Sequence, residues 1–163
     1  MTTIHAAKQW FVNYRPNPQA GLRLFCFPYA GGGAGIFRAW PASLPSYIEV
    51  YAAQLPGCGA RIAEPPFTHI SAMVESIADG LRPHLGKPFA FFGHSMGAII
   101  GFELARLLRR EGRDGPFHLF VSGHAAPQLP ETAKRTYDLP EQELIEELRR
   151  LNGTPRRCSR NPS

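Results

Sequence analysis

The stretch Phe91-Phe92-Gly93-His94-Ser95-Met96-Gly97-Ala98-Ile99 sets one serine between two glycines, each two residues away. An apolar run, Pro88–Gly93, leads into it, and an amphipathic stretch leads out. In that stretch Ile100, Leu104, Leu107 and Leu108 recur at helical spacing. Arg106, Arg109 and Arg110 gather near its end, where the helix dipole favours cations, and Gly112 is the expected stop. A strand that turns sharply into a helix brings two backbones close together, so side chains at 93 and 97 would clash. The helix N-terminus points free N–H groups and partial positive charge at the serine. Ser95 is therefore expected at the tip of a strained strand-to-helix turn, as a candidate nucleophile, with the Met96 N–H as the first donor to an oxyanion.

Working outward, three more apolar runs read as strands: Leu22–Pro28, Tyr47–Leu55 and Phe117–Gly123. Those at 22, 88 and 117 are nearly continuous in apolar residues, the pattern of parallel strands buried on both faces. Helical stretches lie between them. Ile70–Leu85 carries Met73, Ile77 and Leu81 on one face. A later helix is predicted from Asp138, which can cap it, with Pro140 in the first turn, an apolar face of Leu144, Ile145, Leu148 and Leu151, and an end at Asn152-Gly153. Strand–helix alternation of this kind is α/β architecture.

A second feature converges on Ser95. The segment Phe27–Gly35, FPYAGGGAG, follows the first of these strands, and its four glycines let backbone amides turn inward, as an oxyanion loop needs. A phosphate loop is excluded. No Gly-Lys-Ser/Thr is present, and glycines at 31, 32, 33 and 35 do not fit G-x-G-x-x-G.

Composition narrows the rest. The chain has 163 residues, 44% hydrophobic and 19% charged, enough for one domain with a core. No apolar run is long enough to span a membrane, and no basic region followed by an apolar core opens the chain, so a cytoplasmic location without membrane association is expected. The net charge is +5, but Arg156, Arg157 and Arg160 supply three of those charges and the remainder is nearly balanced, so no nucleic-acid partner is expected. Cys26, Cys58 and Cys158 have neither metal-ligand nor redox spacing and read as free thiols, Cys26 as a small buried hydrophobe. No metal or other cofactor is expected.

Taken in order, FPYAGGGAGIFRAWPASLP, VYAAQLPGCGARIAEPPF, FFGHSMGAIIGFELARLL and DLPEQELIEELRRLNGTP resemble the type II thioesterases, the stand-alone α/β-hydrolases that accompany polyketide synthases and nonribosomal peptide synthetases. The resemblance covers about residues 10 to 155. It implies an α/β-hydrolase fold with a mostly parallel sheet and helices on both faces. It also implies hydrolysis of acyl groups from the phosphopantetheine arm of carrier proteins; the folded chain is expected to be a monomer. Ser95 would be the nucleophile, Met96 and Ala30 the oxyanion N–H donors, and residues 130 to 153 the start of a lid whose Leu144, Ile145 and Leu148 line an acyl channel. A general esterase or lipase of the same fold is one alternative, and a non-catalytic fragment that binds carrier proteins is another.

Serine acyl transfer also needs a histidine base and an acid to orient it, in the chain order Ser, Asp, His for this fold. The resemblance puts that Asp and His after two further strands, past Ser163, so the fold is expected to be incomplete at its C-terminal side. Within the chain, Asp114 and His118 fall at the wrong edge of the sheet. The alternative within the chain is a substitute pair of His124, after the strand's C-terminal end, and Asp138. His94 adjoins Ser95, but neighbours on such a turn point in different directions, so it reads as a supporting residue. The domain is expected to run from 1 to 155, with 156–163 a disordered tail outside the family pattern. Back-translated in G- and C-rich codons and read one base on, that tail becomes acidic and helix-forming, so a single-base deletion near codon 155 is expected. A sheet ending at the strand from Phe117 would leave an apolar edge unpaired, and an aggregation-prone fragment with little turnover is expected.

Overall fold

The computed structural model describes residues 9–126, 129 and 139–150. They fall into two compact units, one up to His124 and one from Ala125. The expected tail, Cys158, Asp138, and the whole of the lid segment outside 139–150 lie outside the described residues.

In the first unit a central sheet carries strands β1 (Phe11–Val12), β2 (Leu22–Phe27), β3 (Ile48–Ala53), β4 (Phe89–His94) and β5 (His118–Ser122). Among the described residues their spatial order is β1-β3-β2-β4-β5. β1 runs antiparallel to β3, and all other pairings are parallel. The register pairs Phe27 with Gly93 and His94 with Ser122. The C-terminal ends of β2, β4 and β5 thus finish side by side.

Side chains alternate across the pleat. Phe25, Phe27 and Phe91 point to one face and are fully buried. They meet Met73, Val74, Ile77 and Leu81 of helix α2 (Ile70–Leu81) and Ile100, Leu104 and Leu108 of helix α3 (Met96–Arg110). Fully burying each such aliphatic side chain contributes about 1.5–3 kcal/mol. On the other face Leu24, Cys26, Val50, Ala52 and Ala90 pack with Phe37, and with Trp40 of the short helix α1 (Trp40–Ser43). Burial pushes the Cys26 thiol well above its usual range, which leaves it an inert packing residue.

Three expectations need correction. The helix predicted over 70–85 ends as an α-helix at Leu81 and tightens into a 3-10 turn over Arg82–His84, because Pro83 has no N–H to continue the ladder. The last helix, α4 (Glu141–Arg150), starts just after Pro140 rather than including it. The run at 117 forms a strand, as expected, but not one buried on both faces. Phe120 and Val121 are 50% and 56% exposed, since among the described residues β5 pairs with β4 alone. α3 stops where predicted: Gly112 adopts φ +66°, its N–H donates to the Arg109 carbonyl, and the Arg113 N–H donates to the Leu108 carbonyl. That pair of bonds is the Schellman arrangement.

Candidate active site

Ser95 joins β4 to α3. Its backbone has φ 53° and ψ −117°, and among the described residues it is the one non-glycine with positive φ. Such a conformation costs on the order of 1–3 kcal/mol and persists only where the surroundings over-determine it. Here they do. The Ser95 N–H donates to the Ser122 carbonyl at 2.8 Å, and the Ser95 carbonyl accepts from the Ala98 N–H at 2.9 Å. The glycines supply the space. A Cβ at Gly93 would collide with the Gly97 carbonyl, and one at Gly97 would collide with the Phe27 carbonyl and sit 2.8 Å from that of Pro28. Backbone therefore packs directly on backbone on both sides of the serine.

The second collision also locates the glycine-rich loop. The start of α3 abuts the end of β2, and the next residues, Tyr29 to Gly32, form a turn closed by the Gly32 N–H donating to the Tyr29 carbonyl at 2.9 Å. Gly31 takes φ +80°, as the second central residue of a type II turn requires. Ala30 is the first central residue, on the exposed rim of the turn. No described acceptor takes its N–H, nor that of Met96, the first residue of α3. Two unspent donors are thus carried by the elements that meet beside Ser95.

His94 turns to other work. Its Nδ1 lies 3.1 Å from the Ser122 Oγ, and its ring stands edge-on to Tyr29 with centroids 6.0 Å apart. It ties the ends of β4 and β5 together. Asp114 lies just before β5 and lines a shallow hollow with Leu85 and Phe89, at the sheet edge away from Ser95. His118 opens β5 opposite Ala90, also away from the serine end. His124 ends the first unit, and Asp138 lies outside the described residues. Leu144, Ile145 and Leu148 are on α4 in the second unit, at positions sharing one helix face, with Ile145 half-buried.

The sequence reading missed a polar cluster at the same end of the sheet. Gln54, the residue after β3, is only 6% exposed, and Arg61 only 8%. The Arg61 guanidinium grips Glu64 with two bonds of 2.7 Å, donates to the Gln54 carbonyl at 2.9 Å, and lies over the Trp10 ring. The signal was present as a glutamine and an arginine flanking a Gly/Pro-rich stretch, but it does not reveal burial.

Comparison with known proteins agrees with this geometry. The Thioesterase domain family matches residues 22–163. The gramicidin S biosynthesis protein GrsT of Aneurinibacillus migulanus is 53% identical over 156 residues, 95% of this chain and 60% of that protein. The linear gramicidin dehydrogenase LgrE of Brevibacillus parabrevis is 46% identical over 153 residues, 94% of this chain and 58% of that protein. The chain thus spans about three-fifths of the length of these relatives. Among solved structures, the type II thioesterase BorB from the borrelidin biosynthetic cluster superposes with a TM-score of 0.77 at 38% identity, over 90% of this chain and 60% of that one. A strained serine between two obligatory glycines, set on a mostly parallel sheet in a chain matched along nearly its whole length, leaves one conclusion: the chain belongs to the thioesterase domain family, and within it resembles the type II thioesterases.

Proposed function

We propose that this chain carries the nucleophile and oxyanion half of an acyl-thioester hydrolase site, acting on acyl groups attached to the phosphopantetheine arms of carrier proteins. The observation that carries the reading is the Ser95 backbone, held at positive φ by the Ser122 carbonyl and by two glycines with no room for a side chain.

The chemistry follows. The Ser95 hydroxyl adds to the thioester carbonyl as a base takes its proton. Charge builds on the carbonyl oxygen, and the unspent Met96 and Ala30 N–H groups are the donors for it, each such donor being worth on the order of 100- to 1000-fold in rate. Collapse of the tetrahedral adduct expels the pantetheine thiol and leaves an acyl-serine. Water then attacks the ester, and the acid and Ser95 hydroxyl are released. Leu144, Ile145 and Leu148 are the proposed contacts for the acyl chain. The word dehydrogenase in the name of LgrE does not carry over, because glycines 31, 32, 33 and 35 lack the spacing with which a dinucleotide loop approaches a pyrophosphate.

The test is covalent capture. A fluorophosphonate is expected to add one phosphonyl group, located at Ser95 by peptide mass spectrometry, with no adduct in Ser95→Ala. The slow hydrolysis of acyl-carrier-protein thioesters that this half-site supports is expected to disappear with the same substitution. A phosphonate that settles on Ser122 or His94, or that labels Ser95→Ala equally, would overturn the assignment.

A further inference from the structure

The cluster around Gln54 has no part in the chemistry just given, yet it reaches the loop that bears Ala30. The Gln54 side chain is buried between two loops. Its Oε1 accepts from the Ala34 N–H at 3.4 Å, at the end of the glycine-rich loop, and its Nε2 donates to the Cys58 carbonyl at 2.6 Å. The space around this amide is closed. A Cβ at Gly33 would stand 3.6 Å from Nε2, and one at Gly59, where φ is +49°, would come within 2.9 Å of it. The 57–64 loop is thus shaped around the amide at Gly59, and Gly33 lies at ordinary contact distance from it.

The backbone of Gln54 is fixed as firmly. Its N–H donates to the Trp10 carbonyl at 2.8 Å, and its carbonyl accepts from Arg61 Nη1. Arg61 in turn stacks on the Trp10 ring, 4.6 Å from its centroid, and is clamped by Glu64. Arg61 also closes its own loop: its N–H donates to the Cys58 carbonyl, and its carbonyl accepts from Gly57. A buried amide in such a network has a defined orientation, because its donor end faces a carbonyl and its acceptor end faces an N–H.

We propose that Gln54 is a positioning residue: with its backbone anchored by Trp10 and Arg61, its buried side-chain oxygen holds the glycine-rich loop at Ala34 and so keeps the Ala30 N–H in place beside Ser95, while its side-chain N–H separately holds the 57–64 loop at Cys58. This rests on the reading of Ala30 as an oxyanion donor. A donor displaced by about 1 Å costs on the order of 100-fold in rate.

The experiment compares Gln54→Met, which keeps the shape and loses both bonds, with Gln54→Glu, which keeps the acceptor for Ala34 and loses the donor to Cys58. Residue-resolved hydrogen exchange in the folded chain is the primary readout. In Gln54→Met, exchange of the Gly32 and Ala34 amides, which report the turn, and of the Gly57 and Arg61 amides is expected to speed at least about 10-fold, while α3 amides from Leu104 to Leu108 stay unchanged. In Gln54→Glu the Ala34 and Gly32 amides are expected to remain within about threefold of the parent, with only the 57–61 amides faster. For phosphonylation of Ser95, Gln54→Met is expected to lower the rate about 10- to 100-fold, and Gln54→Glu to recover most of that loss. Unchanged Gly32 and Ala34 exchange in Gln54→Met overturns the proposal, as does equal acceleration at every amide in both variants. Should Gln54→Met not fold, loss of Gly32 protection in Gln54→Glu overturns it as well. Exchange that splits as expected, in a parent whose Ser95 takes no phosphonate, keeps the hold of Gln54 on the glycine-rich loop and instead removes the reading of Ser95 and Ala30 as a reactive site.

Discussion

Replacing Gly97 with alanine tests the geometry of the serine turn most directly. The added Cβ would lie 2.6 Å from the Phe27 carbonyl carbon and 2.8 Å from the Pro28 carbonyl oxygen, below the 3.0 Å that real Cβ contacts essentially never breach. Carbon atoms rest about 3.5–4.0 Å apart, so the start of α3 and the end of β2 have to separate by about 1 Å. Both partners are backbone, so neither can rotate away. Overpacking of this kind costs about 1–3 kcal/mol. Gly101→Ala is the matched control, because it lies in the same helix and there the Cβ meets the Leu119 Cδ1 at 3.2 Å, the flexible end of a side chain. A glycine-to-alanine change in a helix also gains up to about 1 kcal/mol of propensity, which the control shares. Urea unfolding followed by the fluorescence of Trp10 and Trp40 is therefore expected to place Gly97→Ala about 1–3 kcal/mol below Gly101→Ala, at equal slope. Phosphonylation of Ser95 is expected to fall on the order of 100-fold in the first variant and little in the second. Equal stability of the two alanine variants would refute the claim that backbone contact on Gly97 sets the serine's position.

Two further outcomes concern stability and association. Burial first, and then the charge of Arg23, push the His84 imidazole below its ordinary range, with Glu49 opposing. An unfolded histidine takes its proton near pH 6.5, and the folded one takes it lower, so stability is expected to fall as pH drops below about 6.5, because there the unfolded state binds more protons. His84→Gln, less stable overall through lost contact with Phe25 and Tyr51, is expected to flatten that slope in unfolding measured from about pH 8 to 5. A lower window belongs to Glu49. Burial raises its carboxyl, but the Asn17 N–H, Asn13 and Arg23 outweigh burial and hold it below the usual carboxylate range, so stability is lost as it protonates at more acid pH. At β5, the edge strand among the described residues, Val121→Lys is expected to shift the chain toward monomer on size-exclusion chromatography at fixed concentration, since a charge on an edge strand opposes pairing; an unchanged elution profile would show that association does not run through β5.

Much of the architecture was legible because it is written locally. The four longer strands are short apolar runs, α3 carries its stripe and its glycine stop, and the Gly-x-Ser-x-Gly between them can be read without knowing any contact. The glycine-rich turn was visible for the same reason. What escaped depends on residues far apart in the chain. Phe11–Val12 is a two-residue strand that exists because Trp10 and Phe11 find β3, and no periodicity announces it. Gln54 and Arg61 are polar residues in a loop, a setting that usually means solvent, and only the arrival of Trp10 and the glycine-rich loop buries them. The break at Pro83 was readable, since proline cannot donate the bond that a continued helix needs, but the apolar Leu85 beyond it suggested a longer helix.

Ser122 occupies an unusual mechanical position. It is the last residue of the outermost described strand, yet its carbonyl is the acceptor that keeps Ser95 at positive φ, and its hydroxyl engages the neighbouring histidine. The outermost described strand is therefore wired in series with the one strained non-glycine backbone among the described residues. If the end of β5 frays, the anchor goes first and the serine is free to relax toward an ordinary helical start. If something lies down along β5 and stiffens it, the same anchor tightens. The reactive geometry then responds to whatever sits against the side of the sheet, and not to the surroundings of Ser95 alone.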